Sequence, residues 1–371
     1  MKHHRKGLVL PWFVFAMLAA TGIPGSGQQP KTVQQGLVEV KPEVEGFSSQ
    51  PLDRLHGLLQ KEVDDKQFPG IVTVMARHGK VVDFRAYGKS DLASGAPMTK
   101  DAIFRIYSMT KRVTGVAMMI LYEQGKWSPG DPIAKYIPEF AHLKALKGLD
   151  ATGQAILEEP AHAPTMGKLM SHTAGFTYGI FGETPVDKMC RDAAVLGAPN
   201  LQGMIDRLAE IPLLYQPRTK WIYSVSVDIQ GHIVEKLSGK TLGEYMSENI
   251  FQPLGMSDTS FHVDAARRSR FATLYRANEK GELPPSGGGN VAMDYSKEPA
   301  MPSGGGGLIS TTVDYLRFYQ MLLNGDELDG KRILSPSSVA RELAALERAD
   351  RRRGPKLSGQ KADARERRYN T

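Results

Sequence analysis

Ser108 and Lys111 are the two residues of this sequence whose types and spacing are best suited to chemistry. They stand three apart in Ser108-Met109-Thr110-Lys111, and residues three apart on a helix share a face, so the ammonium can reach the hydroxyl. A serine hydroxyl attacks a carbonyl only when a base takes its proton, and a lysine held among apolar neighbours can assist that transfer. The start of a helix adds positive potential where an oxyanion would form. As a loose pattern Ser-x-x-Lys is common on solvated helix faces, so its setting decides. Here it follows the strand-like Ala102-Ile103-Phe104-Arg105-Ile106. It then opens a helical stretch with Val113, Val116, Ala117, Ile120 and Leu121 in phase, stopped by Gly125. The chemistry this setting points to is acyl transfer through a serine.

The surrounding elements must hold that pair. A helix is predicted over 53–66, with Leu55, Leu58, Leu59 and Val63 on one stripe. Residues 71–76 read as a buried strand, His78-Gly79-Lys80 as a turn and 81–87 as the returning strand. From 127 to 299 helices and long loops dominate, and 311–323 is helical again, with Leu316, Tyr319, Gln320 and Leu323 in phase. This order predicts an α+β fold, an antiparallel sheet flanked by helices with a large helical insertion. The expected divisions are a leader at 1–27, a flexible lead at 28–50, and a first part of the sheet domain at 51–135. A helical insertion at 136–295, a return to the sheet at 296–340 and a basic tail at 341–371 follow.

Composition narrows the class. The chain has 371 residues, 41% of them hydrophobic and 23% charged, enough for a sizeable core. Lys2, Arg5 and Lys6 precede an apolar run at 8–20, with small residues at Gly25-Ser26-Gly27, the layout of a cleaved secretory signal. The expected location is periplasmic or secreted, with no stable membrane span after cleavage. The net charge of +7 sits at the ends, since 1–6 carry +3 and 341–371 carry +5, leaving −1 for the body. A nucleic-acid groove needs its cations within the folded part, so nucleic acid is not the expected partner. Cys190 is the only cysteine and has no histidine near it in sequence, so it reads as a structural or incidental thiol. No cluster has metal-ligand spacing, and no cofactor motif is found; Gly304 to Gly307 lacks the Lys-Ser/Thr of a P-loop and reads as a tight turn. A Ser-His-Asp triad built on His172 would need a Gly-x-Ser-x-Gly elbow, which is absent.

Five ordered segments resemble one superfamily. Phe104-Arg105-Ile106-Tyr107-Ser108-Met109-Thr110-Lys111 and Leu169-Met170-Ser171-His172-Thr173-Ala174-Gly175 are similar to the serine β-lactamases and penicillin-binding proteins. Trp221-Ile222-Tyr223-Ser224, Phe251-Gln252-Pro253-Leu254-Gly255-Met256 and 303–311 narrow the resemblance to one branch. That branch holds class C β-lactamases, D-alanyl-D-alanine carboxypeptidases and esterases on the same β-lactamase/transpeptidase-like fold. The resemblance implies an acyl-enzyme at Ser108, with Lys111 and Tyr223 managing protons, and a structural, buried His172. It implies a small ester, a β-lactam or a peptidoglycan-type peptide as substrate. Two departures stand out: Val225 where the family commonly has asparagine, which favours esters, and Arg218 where it often has glycine.

The family's third motif, a Lys-Thr-Gly or His/Trp-Gly-Gly strand late in the chain, is not found. The sequence after Leu346 is charged and carries no strand-like alternation. The expectation is therefore a chain that lacks the closing strands and turns over weakly or not at all, because loss of an oxyanion donor costs on the order of 10²–10³ in rate. The rival readings are a non-catalytic β-lactam or peptidoglycan sensor, and a truncated fragment without function.

Overall fold

The computed structural model describes residues 32–34, 37–286 and 294–338. Strands β1 (Thr32–Gln34) and β2 (Leu37–Glu39) pair antiparallel, and helix α1 (Ser49–Asp64) follows. Leu37 is buried, so the described part of 28–50 is built into the fold rather than forming the flexible lead expected from its polar composition. On α1 the buried residue is Leu52, and Leu58, expected on the inner stripe, points outward. The hairpin of β3 (Gly70–Arg77) and β4 (Lys80–Gly88) forms where the alternating apolar runs predict it. Both turn residues, His78 and Gly79, have positive φ, the mirror-image turn whose twist matches a right-twisted ribbon. Strand β2 joins β4 in parallel, so the sheet order is β1-β2-β4-β3 and the sheet is not wholly antiparallel.

Strand β5 (Ile103–Arg105) leads into a 3₁₀ turn, Tyr107–Met109, and then helix α2 (Thr110–Glu123). All nine residues from Val113 to Leu121 are buried, and so is Thr110. A helix apolar all round belongs inside the molecule. Gly125, at φ +70, ends it in the left-handed conformation that glycine takes without strain.

The region expected to be helical also holds a hairpin, β6 (Ala145–Leu149) and β7 (Ala155–Glu158), which the sequence reading missed. Around it run α3 (Met166–Met170), α4 (Pro185–Asp192), α5 (Leu201–Ala209), α6 (Ser226–Ser238) and α7 (Leu242–Met246). Helices α2 and α6 share the main core, which includes Val116, Ile120, Ile229 and Ile233. Strand β8 (Ile309–Thr311) pairs antiparallel with β5 and returns the chain to the nucleophile's strand. Helix α8 (Thr312–Leu323) is capped by the Thr311 hydroxyl, which accepts from the Asp314 N–H. It lays Val313 and Leu316 on the sheet beside Leu37, Val81 and Phe84, while Leu323 is exposed. A small hairpin, β9 (Glu327–Leu328) and β10 (Lys331–Arg332), follows. Among the described residues no helix is long and apolar enough to cross a membrane. The leader at 1–27 and the tail at 341–371 lie outside the described residues.

Candidate active site

The Ser108 hydroxyl sits in the 3₁₀ turn between β5 and α2, exposed to solvent, where an outside substrate can reach it. Tyr107 before it has φ +42, a left-handed conformation that is uncommon for a bulky residue and typical of functional turns. One turn on, Lys111 Nζ lies 3.2 Å from Ser108 Oγ. The same ammonium reaches Tyr178 Oη at 3.2 Å and the Gly305 carbonyl at 2.5 Å, so each of its three protons has an acceptor. Tyr223 arrives from the loop before α6, with its Oη 2.6 Å from Ser108 Oγ. Lys111 Nζ stands 4.6 Å from the centre of the Tyr223 ring. Ser108, Lys111 and Tyr223, chosen from sequence at three separate positions, are brought to one point.

Two further participants were not anticipated. Tyr178 accepts from Lys111 at 3.2 Å and donates to Asp228 at 3.2 Å. Burial, and then the Asp228 carboxylate, push its phenol well above the usual tyrosine range, so it stays protonated. Asp228 is fully buried on α6 and also accepts from the Ser303 hydroxyl at 2.5 Å and the Gly305 N–H at 3.0 Å. Gly305 is thus held through both of its backbone groups, by Asp228 on its N–H and Lys111 on its carbonyl. A Cβ at Gly305 would lie 2.4 Å from both Asp228 Oδ2 and Tyr178 Oη, which is why this position is glycine. The glycine run 304–307 is a turn, as the sequence implies, but also a wall of the site. Nothing in the local pattern of Asp228 or Tyr178 distinguishes them from packed residues; only their positions one turn into α6 and two residues past Phe176 place them.

His172 is partly buried and stacks on Tyr223, with ring centroids 5.5 Å apart. Its Nδ1 accepts from the Ser224 N–H and lies 3.0 Å from the Ser224 hydroxyl. Burial and the Lys111 and Arg112 charges lower its pKa to about 4, leaving it neutral near pH 7. Arg218 has φ +77, the backbone conformation that the family's glycine would take freely. Val225 is completely buried in the core, so it does not border the site, and an ester preference cannot be read from that side chain. Cys190 is buried, and desolvation pushes its thiol up to about 11, as an inert thiol requires. Among the described residues no group of histidine, cysteine or carboxylate side chains could hold a metal ion.

The pattern of the Beta-lactamase family matches residues 55–359, most of the chain. The chain belongs to the Beta-lactamase family. The match runs past residue 341 into the basic tail, further than the motifs alone extend. Protein Rv1367c of Mycobacterium tuberculosis is 35% identical over 289 residues, covering 78% of this chain and 70% of that protein. Esterase EstB of Burkholderia gladioli is 30% identical over 280 residues, covering 71% and 68%. Among solved structures, unliganded Simvastatin Synthase (LovD) from Aspergillus terreus superposes with a TM-score of 0.67 at 25% identity, covering 79% and 72%. EstCE1, described as a hydrolase with promiscuous acyltransferase activity, superposes with a TM-score of 0.64 at 25% identity, covering 79% and 76%. The β-lactamase/transpeptidase-like fold and membership in a family of serine hydrolases and acyltransferases follow.

Proposed function

We propose that this protein is an exported serine ester hydrolase that works through an acyl-enzyme on Ser108. The observation that carries the reading is the convergence of Tyr223 Oη and Lys111 Nζ on one exposed serine oxygen, at 2.6 and 3.2 Å. As Ser108 Oγ bonds to the ester carbon, its proton passes to Tyr223 Oη, which acts in its deprotonated form with the positive charge of Lys111 beside its ring. The carbonyl oxygen becomes an oxyanion at the start of α2, where the helix dipole is favourable. The carbon–oxygen bond to the alcohol then breaks, and the departing oxygen takes the proton held at Tyr223. Water, deprotonated by the same group, releases the acid and returns the proton to Ser108.

Esters are favoured over β-lactams and peptides because named relatives include Esterase EstB and a lovastatin esterase of Penicillium rubens. Slow turnover is part of the proposal, since no third-motif strand is legible in the sequence to supply a second oxyanion donor. Purified protein incubated with p-nitrophenyl butyrate should release p-nitrophenol in proportion to protein and then slowly, with the butyryl adduct on Ser108 visible by intact mass. Ser108→Ala should abolish both. Release that persists in Ser108→Ala would sink the reading, and rapid sustained release would refute the slow-turnover part. Export predicts a mature N-terminus near residue 28 when the full chain is expressed with a secretion pathway.

A further inference from the structure

An exposed aromatic side chain leans on the two site tyrosines, takes no part in proton transfer and lies outside the buried core. Phe181 is 71% exposed, the most exposed aromatic ring among the large apolar side chains of the described residues. It is not loose. Its ring lies edge-on to Tyr178 at 5.6 Å and tilted against Tyr223 at 5.8 Å between centroids. The loop that presents it is pinned on both sides by glycines that admit no side chain. A Cβ at Gly179 would meet Cys190 Cβ at 2.5 Å, and one at Gly182 would meet Asp187 Oδ2 at 2.3 Å. Arg191 fastens the same loop by donating to the carbonyls of Gly179 and Gly182 at 2.6 and 2.7 Å. Trp221, partly buried, lies 6.2 Å from the Tyr223 ring and adds a further aromatic group beside it. An apolar ring held rigidly in water is retained against the hydrophobic effect unless something covers it in use.

Position says which part of a substrate that is. Tyr223 Oη is the group that meets both the Ser108 proton and the oxygen of the departing alcohol, so the alcohol lies against the Tyr223 side of the serine. Phe181 packs on Tyr223 and on Tyr178 behind it. We propose that Phe181 recognises the alcohol half of the ester, and that the preferred leaving alcohol is apolar and flat, an aryl or arylmethyl group that stacks on this ring. The inference rests on the serine hydrolase reading above. By microscopic reversibility the same surface receives the acceptor in the second half-reaction. There, an arylmethyl alcohol attacks the acyl carbon, gives its proton to Tyr223, and expels Ser108 Oγ, which takes that proton back. The product is a new ester in place of the acid that water would form.

The test holds the acyl group constant as butyryl and keeps protein in excess, so slow deacylation does not matter. Acylation of Ser108 is timed by intact mass for benzyl butyrate and methyl butyrate. Phe181→Ala should lower the benzyl-to-methyl rate ratio ~10-fold, the size expected for one lost aromatic contact. Phe181→Tyr should restore the ratio, and Phe181→Leu should restore it only in part. With benzyl alcohol fixed, lengthening the acyl group from acetyl to hexanoyl should leave the Phe181→Ala effect unchanged. An unmoved ratio, or a loss that tracks acyl length, overturns the assignment. An equal loss with both esters together with a lower melting temperature would make Phe181 a packing residue and also overturn it. If wild-type Ser108 is acylated by no ester and by no fluorophosphonate, the hydrolase reading itself fails, and this inference with it.

Discussion

At the residue scale, two tyrosines flank one lysine and have different tasks. Tyr223 touches the nucleophile, whereas Tyr178 is locked as a donor to Asp228 and an acceptor from Lys111. Tyr223→Phe should slow acylation of Ser108 by about 10²–10⁴-fold, the range for a lost general acid–base group, while the melting temperature hardly moves. Tyr178→Phe should instead leave Asp228 short of a buried donor and cost about 1–3 kcal/mol of stability in a denaturant titration. Equal rate losses without a stability difference would merge the two roles. The sequence made Ser108 and Lys111 legible because a single helical turn brings them together, so local spacing sufficed. Tyr223 is 115 residues from its partner, and only the family pattern pointed to it. Tyr178 and Asp228 carried no such signal, because what defines them is tertiary contact with each other and with Gly305.

At the scale of elements, the site hangs on backbone turns that are more demanding than the helices beside them. The two ends of the segment from Thr173 to Tyr223 are tied together by the Arg218 N–H donating to the Thr173 carbonyl and the Ile222 N–H donating to the His172 carbonyl. Arg218 holds its place in this tie at φ +77, at a cost of ~1–2 kcal/mol that glycine would not incur. Arg218→Gly should therefore raise stability by about 1 kcal/mol after the added flexibility of the unfolded chain is offset, with ester acylation preserved. Chemical denaturation of the two proteins decides the sign. Gly305→Ala should act in the opposite direction, displacing Asp228 and Tyr178 and slowing acylation by ~10²-fold through misplacement of Lys111. The β3–β4 hairpin and α2 were readable from alternation and helical phase. The β6–β7 hairpin was not, because Gly148 interrupts a run of only five residues and Leu149, Ile156 and Leu157 remain exposed.

At the scale of the whole molecule, the core carries an acid-sensitive group. His232 on α6 is buried, neither ring nitrogen has a hydrogen-bond partner among the described residues, and desolvation lowers its pKa to about 4. An unfolded histidine titrates near 6.5, so below that pH the unfolded chain binds the proton first. Stability from His232, and from the similarly shifted His172, is complete above about pH 6.5 and is lost as pH falls toward 4. Asp314 works the other way: its folded pKa, raised to about 6 mainly by desolvation, means stability is gained as pH falls from 6 toward its usual value. His232→Leu should raise the melting temperature more at pH 5 than at pH 8, and equal shifts would show that titration is not the cause. One more consequence follows from how far apart the site residues lie in the chain. The contacts of Lys111 with Tyr178 and Gly305 bridge 67 and 194 residues. No fragment smaller than this span can assemble the centre, which makes covalent labelling of Ser108 a gauge of the folded population. The labelled fraction in urea should overlay the circular-dichroism transition, so a reactive serine would serve as a count of native molecules in any preparation of this protein.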